Sequence, residues 1–360
     1  MTLTPAELEF YRRQMVLPFV GGAGQEKLRA ARVLVVGAGG LGCPALQFLA
    51  AAGVGTITLC EGDPVEASNL HRQILYAHAD AGRPKVEAAG ARLRAQNPFI
   101  TVLTVPTPAT PENIDALLAG QDVVLDCTDN FRAKFLLHDA CWLAGLPLVQ
   151  ASVYQTEGQI QVFRPGVAGG CLRCVYPEMP GEGCTGTCAQ VGVLGVVPGV
   201  LGTLQASEAL KILLGQPGVL DREMLMLDLQ SNHFTRIGRS RNPACPLCGD
   251  TPRIQGIVAA EYTTDPPWVL DLDTLTPEAL ATYALIDVRT PAEHEAGPPV
   301  AQGLPNHCST DPAALQRLPR GRPYLLVCAR GLRSRNTAAE MRRQGRDDFF
   351  SLRQGVDSLQ

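Results

Sequence analysis

Between Arg32 and Gly42 the chain reads RVLVVGAGGLG, an apolar run that breaks into a glycine-rich turn and leads into the apolar segment PALQFLAAAG (44–53). No other stretch restricts the fold as much, because a buried strand followed by a helix normally crosses over into a parallel neighbour. Gly37, Gly39 and Gly42 match G-x-G-x-x-G. Such a turn lets a phosphate approach bare backbone N–H groups at a helix N-terminus. The alternation continues with strand TITLCE (56–61), helix KVEAAGARLRAQN (85–97), strand VVLDCTD (123–129), helix NFRAKFLLHDACWLAG (130–145) and strand PLVQASV (147–153). This predicts an α/β fold with a doubly wound, largely parallel, Rossmann-like sheet and a binding crevice at the carboxyl ends of its strands.

Beyond residue 153 the texture changes. GQIQVFR (158–164) alternates like a solvent-facing strand, a glycine- and cysteine-rich stretch follows, and LGTLQASEALKILLG (201–215) reads as a helix. Residues 251–267 show no sustained periodicity and read as a linker. From Trp268 on, helix TPEALATY, strands ALIDVR and PYLLVC and helix RSRNTAAEMRRQG predict a smaller α/β domain. The expected organisation is a nucleotide-binding domain over 1–250, a linker over 251–267 and a second domain over 268–360. A net charge of −4 argues against a nucleic-acid partner, which needs concentrated positive charge. No run of about 18 apolar residues exists, and MTLTPAELEF lacks a basic-then-apolar signal, so a soluble, cytoplasmic protein without a membrane partner is expected.

On the glycine turn and Glu61 alone, a ribose-binding carboxylate at the end of the second strand, an NAD-dependent oxidoreductase is a fair reading. SNLHRQ (68–73), GRPK (82–85) and CTDN (127–130) shift it by adding Asn69, Arg72, Lys85 and Asp129 at or beyond the strand ends. Hydride transfer mainly needs an apolar slot. Cleavage of a triphosphate needs cations against phosphate charge and a carboxylate for magnesium.

Twelve cysteines in a chain without a secretory signal point to metal ligands and reactive thiols rather than disulfides. Cys43, Cys60, Cys127 and Cys141 sit in apolar surroundings and read as small buried residues. Cys171-x-x-Cys174 and Cys245-x-x-Cys248 form two knuckles whose four thiolates suit a closed, structural Zn²⁺ site. Cys184 and Cys188 lie in the glycine-rich CTGTCAQVGVLG. In LLVCARGLRSRNTAAEM (325–341), Cys328 ends a strand and starts a loop that aims backbone N–H groups at the sulfur, with Arg330 and Arg333 adding positive charge.

The ordered set YRRQMVLP, GQEKL, RVLVVGAGGLG, SNLHRQ, GRPKVEAA, DCTDNF, EGQI, CLRC, CAQVGVLG, LGTLQASEALK and NPACPLCG closely resembles the MoeB/ThiF family, bacterial relatives of ubiquitin-activating enzymes, from about Phe10 to Gly249. The resemblance implies ATP-dependent adenylation of the C-terminal glycine of a ubiquitin-like sulfur-carrier protein ending in Gly-Gly. Matched position by position, Gly40 and Glu61 would contact the nucleotide, while Ser68, Asn69, Arg72 and Lys85 would hold its phosphates. Asp129 would bind Mg²⁺ with Asn130 beside it, and Arg13 would reach the partner subunit's site in a homodimer. The family usually has Asp where this chain has Glu61, often Arg at Phe10 and often Gln at His71. Cys188 matches a loop cysteine that can bond covalently to the carrier, and Cys184 has no match. The tail, with LIDVRTPAEHEAG upstream of Cys328, resembles a rhodanese domain from about Trp268 to Leu359, which implies a persulfide on Cys328 loaded by a cysteine desulfurase or another donor. GPPVAQG stands where His-Ile-Pro-Gly-Ala is usual, and a non-catalytic rhodanese fold is the alternative; Cys308 has no assigned role. Together the two resemblances imply a carrier thiocarboxylate for molybdopterin, thiamine or related sulfur insertion.

Overall fold

A computed structural model of the protein describes residues 3–177, 179, 192–259, 262, 267–329 and 331–359. Cys184, Cys188 and Arg330 lie outside the described residues. The chain divides into two compact units, Met1–Thr263 and Thr264–Gln360.

The first unit is built on eight strands: β1 (Arg32–Val36), β2 (Thr56–Cys60), β3 (Thr101–Val105), β4 (Val123–Asp126), β5 (Leu148–Tyr154), β6 (Glu157–Phe163), β7 (Glu223–Asp228) and β8 (His233–Gly238). Their order in the sheet is β3-β2-β1-β4-β5-β6-β7-β8. The chain winds outward from β1 to β3, then returns to β4 on the other side of β1, so the direction of winding reverses between β1 and β4. In a parallel sheet that reversal opens a crevice beyond the carboxyl ends. The registers Val36↔Cys60 and Val36↔Asp126 bring the ends of β1, β2 and β4 level at this point.

Side chains alternate across β1 with the period of two that a strand imposes. Val33 and Val35 face the helices Gly42–Ala52, Lys85–Gln96 and Val196–Leu214. Leu34 and Val36 face the helices Ile114–Leu118 and Phe131–Leu143. Apolar side chains cover β1 on both faces, which is why it reads as an unbroken apolar run. Cys43, Cys60, Cys127 and Cys141 are all buried within these two cores.

The sheet departs from the sequence reading in its second half. Only β3, β2, β1, β4 and β5 run parallel; β6, β7 and β8 add on antiparallel. The expectation that GQIQVFR faces solvent is also wrong. β6 lies between β5 and β7, and Ile160, Gln161, Val162 and Phe163 are all buried. A strand covered on both faces keeps the same period-two pattern when polar Gln161 finds a partner, here Gln150, so pattern alone does not separate the two cases.

Part of the stretch read as a linker, 251–267, is attached to the first unit. Arg253 and Ile254 donate backbone N–H groups to the carbonyl of Pro246, and Tyr262 is buried in the second core. The second unit holds a parallel four-stranded sheet in the order β10-β11-β12-β9, made of β9 (Val269–Leu270), β10 (Ala284–Asp287), β11 (Tyr324–Val327) and β12 (Phe349–Leu352). The helix Leu332–Arg343 follows the end of β11.

Candidate functional site

The glycine turn sits at the reversal point. Gly37 has φ +96°, and a Cβ there would lie 2.6 Å from the carbonyl oxygen of Cys127 at the end of β4. A Cβ on Gly42 would lie 2.0 Å from the carbonyl oxygen of Gly37. Both positions therefore require glycine, because strand end, turn and helix start pack backbone against backbone. At Gly39 the nearest side-chain atom is Nε2 of Gln73, and Gly40 lies against Pro198 and the stem of Arg72. The helix Gly42–Ala52 starts at Leu41 with no side-chain cap. Cys43 already donates to the carbonyl of Gly39 and Pro44 has no N–H, so the N–H groups of Leu41 and Gly42 are the ones placed to donate to an anion, with the positive end of the helix dipole behind them.

Glu61 reaches this turn. Its carboxylate accepts from the N–H of Ala38 at 3.0 Å and from the N–H of Asp63 at 2.9 Å. Lys85, 5% exposed, puts its Nζ 3.6 Å from Glu61 and 3.4 Å from Asp63. Arg72 extends over Gly40, and its guanidinium lies 3.4 Å from the His71 ring. Ser68 and Asn69 both donate to Glu66 on the same 3₁₀ turn. Asp129 is exposed beyond the end of β4. Asn130 caps the helix Phe131–Leu143 by accepting the N–H of Ala133 at 2.9 Å, a structural job in addition to any contact with ligand.

Two residues of this region carry no role in the sequence reading. Asp126, fully buried, accepts from the backbone and hydroxyl of Thr128, from Lys134 and from Gln150, and so fixes the loop that presents Asp129. Gln73 is 4% exposed beside Gly39, and its Oε1 is buried without a hydrogen-bond partner. The only sequence signal for Gln73 is its place at the end of SNLHRQ.

Arg13 is exposed, near the end of the helix Pro5–Met15. On that helix Tyr11 packs against Gly53, and Asn97 donates to both the Tyr11 hydroxyl and the carbonyl of Ala50, at the end of Gly42–Ala52 opposite the turn. An eleven-residue helix is roughly 16 Å long, so the segment carrying Arg13 is rooted far from this chain's own glycine turn.

The four sulfurs of Cys171, Cys174, Cys245 and Cys248 lie within 4.8 Å of one another. The separations are 3.9 Å for Cys171–Cys174, 3.4 Å for Cys171–Cys245 and 3.3 Å for Cys174–Cys248. A tetrahedral ZnS₄ unit with bonds of about 2.3 Å spaces its sulfurs by about 3.8 Å, so the cluster fits such an ion, and none of the pairs is a disulfide. Backbone N–H groups of Asn242 and Cys171 point at Cys174, which holds that thiol below its usual pKa despite burial. Burial and the neighbouring sulfurs push Cys171 and Cys248 up instead. Four thiolates cannot coexist here without a cation to offset them.

Next to the knuckle, Asp139 is fully buried and accepts from Arg173 (2.6 Å), His138 Nδ1 (2.8 Å) and the Tyr262 hydroxyl (2.8 Å). His138 Nε2 accepts the N–H of Leu172, so its proton sits on Nδ1. Burial keeps this imidazole neutral, below its ordinary pKa.

In the second unit Cys328 follows β11 and is 2% exposed. The helix Leu332–Arg343 begins at Gly331 without a side-chain cap, and the Ser334 hydroxyl lies 3.5 Å from the sulfur. Arg333 makes a two-pronged ion pair with Glu293, at 2.7 and 2.6 Å, so its charge is shared with a carboxylate rather than free. That guanidinium holds Glu293 down at about 2. Cys308 lies within electrostatic range of Arg333, with its sulfur 3.2 Å from the Thr310 hydroxyl. No helix among the described residues is long and apolar enough to cross a membrane.

Comparison with known proteins bears on both units. A sulfur carrier protein adenylyltransferase of Thermus thermophilus is 47% identical over 265 residues, covering 72% of this chain and 98% of the relative. An adenylyltransferase and sulfurtransferase MOCS3 of Drosophila grimshawi is 38% identical over 372 residues, covering 97% of this chain and 82% of the relative. A probable adenylyltransferase/sulfurtransferase MoeZ of Mycobacterium tuberculosis is 36% identical over 371 residues, covering 98% and 93%. Among solved structures, E. coli MccB with ATP superposes with a TM-score of 0.58 at 22% identity, over 67% of this chain and 74% of that one, a likeness of fold alone. The model of the ThiF family matches residues 11–247, about two thirds of the sequence, and this chain belongs to the ThiF family.

Proposed function

We propose that the first unit adenylates the C-terminal glycine of a ubiquitin-like sulfur-carrier protein ending in Gly-Gly, and that the second unit delivers sulfur to the activated carrier. The observation that carries this reading is the uncapped glycine turn with Lys85 and Arg72 around it, at the point where strand winding reverses. The relatives' names, sulfur carrier protein adenylyltransferase and adenylyltransferase/sulfurtransferase, support it.

The carrier's carboxylate, already ionised at neutral pH, attacks the α-phosphate of ATP, and pyrophosphate leaves. Nucleophile and electrophile are both anionic, so no general base is needed and the work is positioning and charge neutralisation. The N–H groups from Gly39 to Gly42 receive phosphate oxygens, Glu61 receives ribose hydroxyls, and Arg72 and Lys85, with Ser68 and Asn69, hold the phosphates. Arg13 completes the neighbouring subunit's site in a homodimer, which the distant rooting of its helix and the exposed Leu8, Val16, Leu17 and Phe19 support. Asp129, with Asn130 beside it, would hold Mg²⁺, which supplies countercharge to the departing pyrophosphate. The four cysteines would hold Zn²⁺ as a structural staple.

A persulfide on Cys328, loaded by a cysteine desulfurase or another donor, then attacks the acyl carbon and AMP leaves. The acyl group is now joined through the transferred sulfur to Cys328. Attack of the Cys188 thiolate on the Cys328 sulfur releases the carrier thiocarboxylate and leaves a Cys188–Cys328 disulfide, which an external thiol reduces. Arg330 and Arg333 would steady the persulfide anion.

The test is ATP–pyrophosphate exchange with candidate carriers, followed by mass spectrometry for replacement of one terminal oxygen by sulfur. Absence of carrier-dependent exchange overturns the first step. Cys328→Ala should keep exchange and lose both thiocarboxylate and thiosulfate:cyanide sulfurtransferase activity. The pairing of Arg333 with Glu293 and the burial of Cys328 favour one second reading, adenylation with a non-catalytic second unit. That reading holds if wild type and Cys328→Ala make thiocarboxylate equally.

A further inference from the structure

The segment after the second knuckle is sewn to the cysteine cluster, and its last stitch is Tyr262. Ile254 packs against the cysteines themselves. Ile257 packs into the core that contains Tyr262. Tyr262 is 4% exposed, and its hydroxyl donates to Asp139 at 2.8 Å. Asp139 also takes Arg173, and the adjacent His138 takes the N–H of Leu172. Leu172 and Arg173 are the two residues between Cys171 and Cys174. One buried carboxylate thus joins the helix Phe131–Leu143, the first knuckle and the segment leading to the second unit.

We infer that Tyr262 is a latch that sets the length of the tether carrying the second unit, and that metal in the cysteine quartet holds the latch closed. With Tyr262 seated, six residue-to-residue steps separate it from Trp268; with it released and Ile254 still held at the cysteines, fourteen separate Ile254 from Trp268. Fully extended, those spans reach at most about 20 Å and about 50 Å. The effective concentration of one tethered unit at the other falls roughly as the −3/2 power of tether length, so release lowers it about three- to fourfold. Tyr262 is then a positioning residue for sulfur transfer, a role that rests on the proposed function, whereas the latch itself does not. Loss of the ion frees the Cys171–Cys174 turn that presents Leu172 and Arg173, and it also frees the cysteine surface under Ile254. Both anchors of the segment go together.

Hydrogen exchange read by mass spectrometry on the full chain tests the latch without any activity. In the metal-loaded protein the peptide covering 250–259 should exchange slowly. Tyr262→Phe, which keeps the ring and loses only the hydroxyl, should speed it in part. Tyr262→Ala should speed it further, in the residues after Ile254, while the measured zinc content stays at the wild-type value, and chelation of the metal should open the whole peptide in the wild type. Equal exchange in wild type and Tyr262→Ala, or an already open peptide in the metal-loaded wild type, overturns the latch. In the same Tyr262→Ala protein, single-turnover thiocarboxylate formation should slow about three- to fourfold with pyrophosphate exchange unchanged. An unchanged transfer rate with an opened peptide overturns the positioning role. A wild type that transfers no sulfur defeats the proposed relay instead, and the exchange data still decide the latch.

Discussion

Gly37 shows how much a single position can dictate: its positive φ and the carbonyl of Cys127 at 2.6 Å from a would-be Cβ leave no room for alanine. Gly37→Ala should lower the melting temperature and abolish nucleotide binding together, read by calorimetry with and without ATP–Mg. Arg72 and Lys85 are different, since their removal leaves the backbone cradle intact. Arg72→Ala and Lys85→Ala should each slow carrier-dependent pyrophosphate exchange by roughly 10²–10³-fold, the usual cost of losing one donor to developing charge. Glu293 carries a pH signature. Its folded pKa of about 2 lies below the ordinary 4.5, so pairing with Arg333 stabilises the fold fully above about pH 4.5 and is lost as pH falls toward 2. Because both partners are partly solvated, the effect is at most about 1 kcal/mol, and the gap in melting temperature between wild type and Glu293→Gln should close over that window. Glycines, cations and the carboxylate at the strand end were legible because turn chemistry and charge are local. Gln73 was not, since nothing near it in the sequence reveals that Oε1 ends buried and unpartnered.

At the scale of elements, the helix Gly42–Ala52 and the strands around it could be read from periodicity because each is buried on the face its pattern shows. β6 could not, because a strand in the middle of the sheet and one at a wet face alternate alike. The antiparallel half of the sheet also escaped, since direction is a property of connections rather than of any one strand. The cysteine knuckles were legible as two C-x-x-C pairs about seventy residues apart, and the fold brings all four sulfurs together. Replacement of Cys171 or Cys245 by Ser, both buried, should remove the metal measured by plasma mass spectrometry. Structural zinc sites contribute about 10–16 kcal/mol of apparent binding free energy at neutral pH, so this loss should loosen the Cys171–Cys174 turn and the segment from Asp250 to Tyr262 before the glycine turn is affected.

For the whole molecule, two units with separate cores predict two thermal transitions, of which chelation should lower only the one belonging to the residues before Thr263. ATP–Mg should raise that same transition by mass action and leave the other in place. By itself the sequence determined the α/β class, the glycine-rich turn and the four metal-suited cysteines, together with the division into a large and a small unit. Each of these depends on contacts within a few residues or on residue chemistry that survives in any fold. Tertiary structure alone decided that Asp139 gathers Arg173, His138 and Tyr262, partners up to 123 positions apart. It alone decided that an unpatterned segment is fastened to a cysteine knuckle. A buried carboxylate must find its donors wherever the packed chain brings them, and no local pattern records which ones arrive.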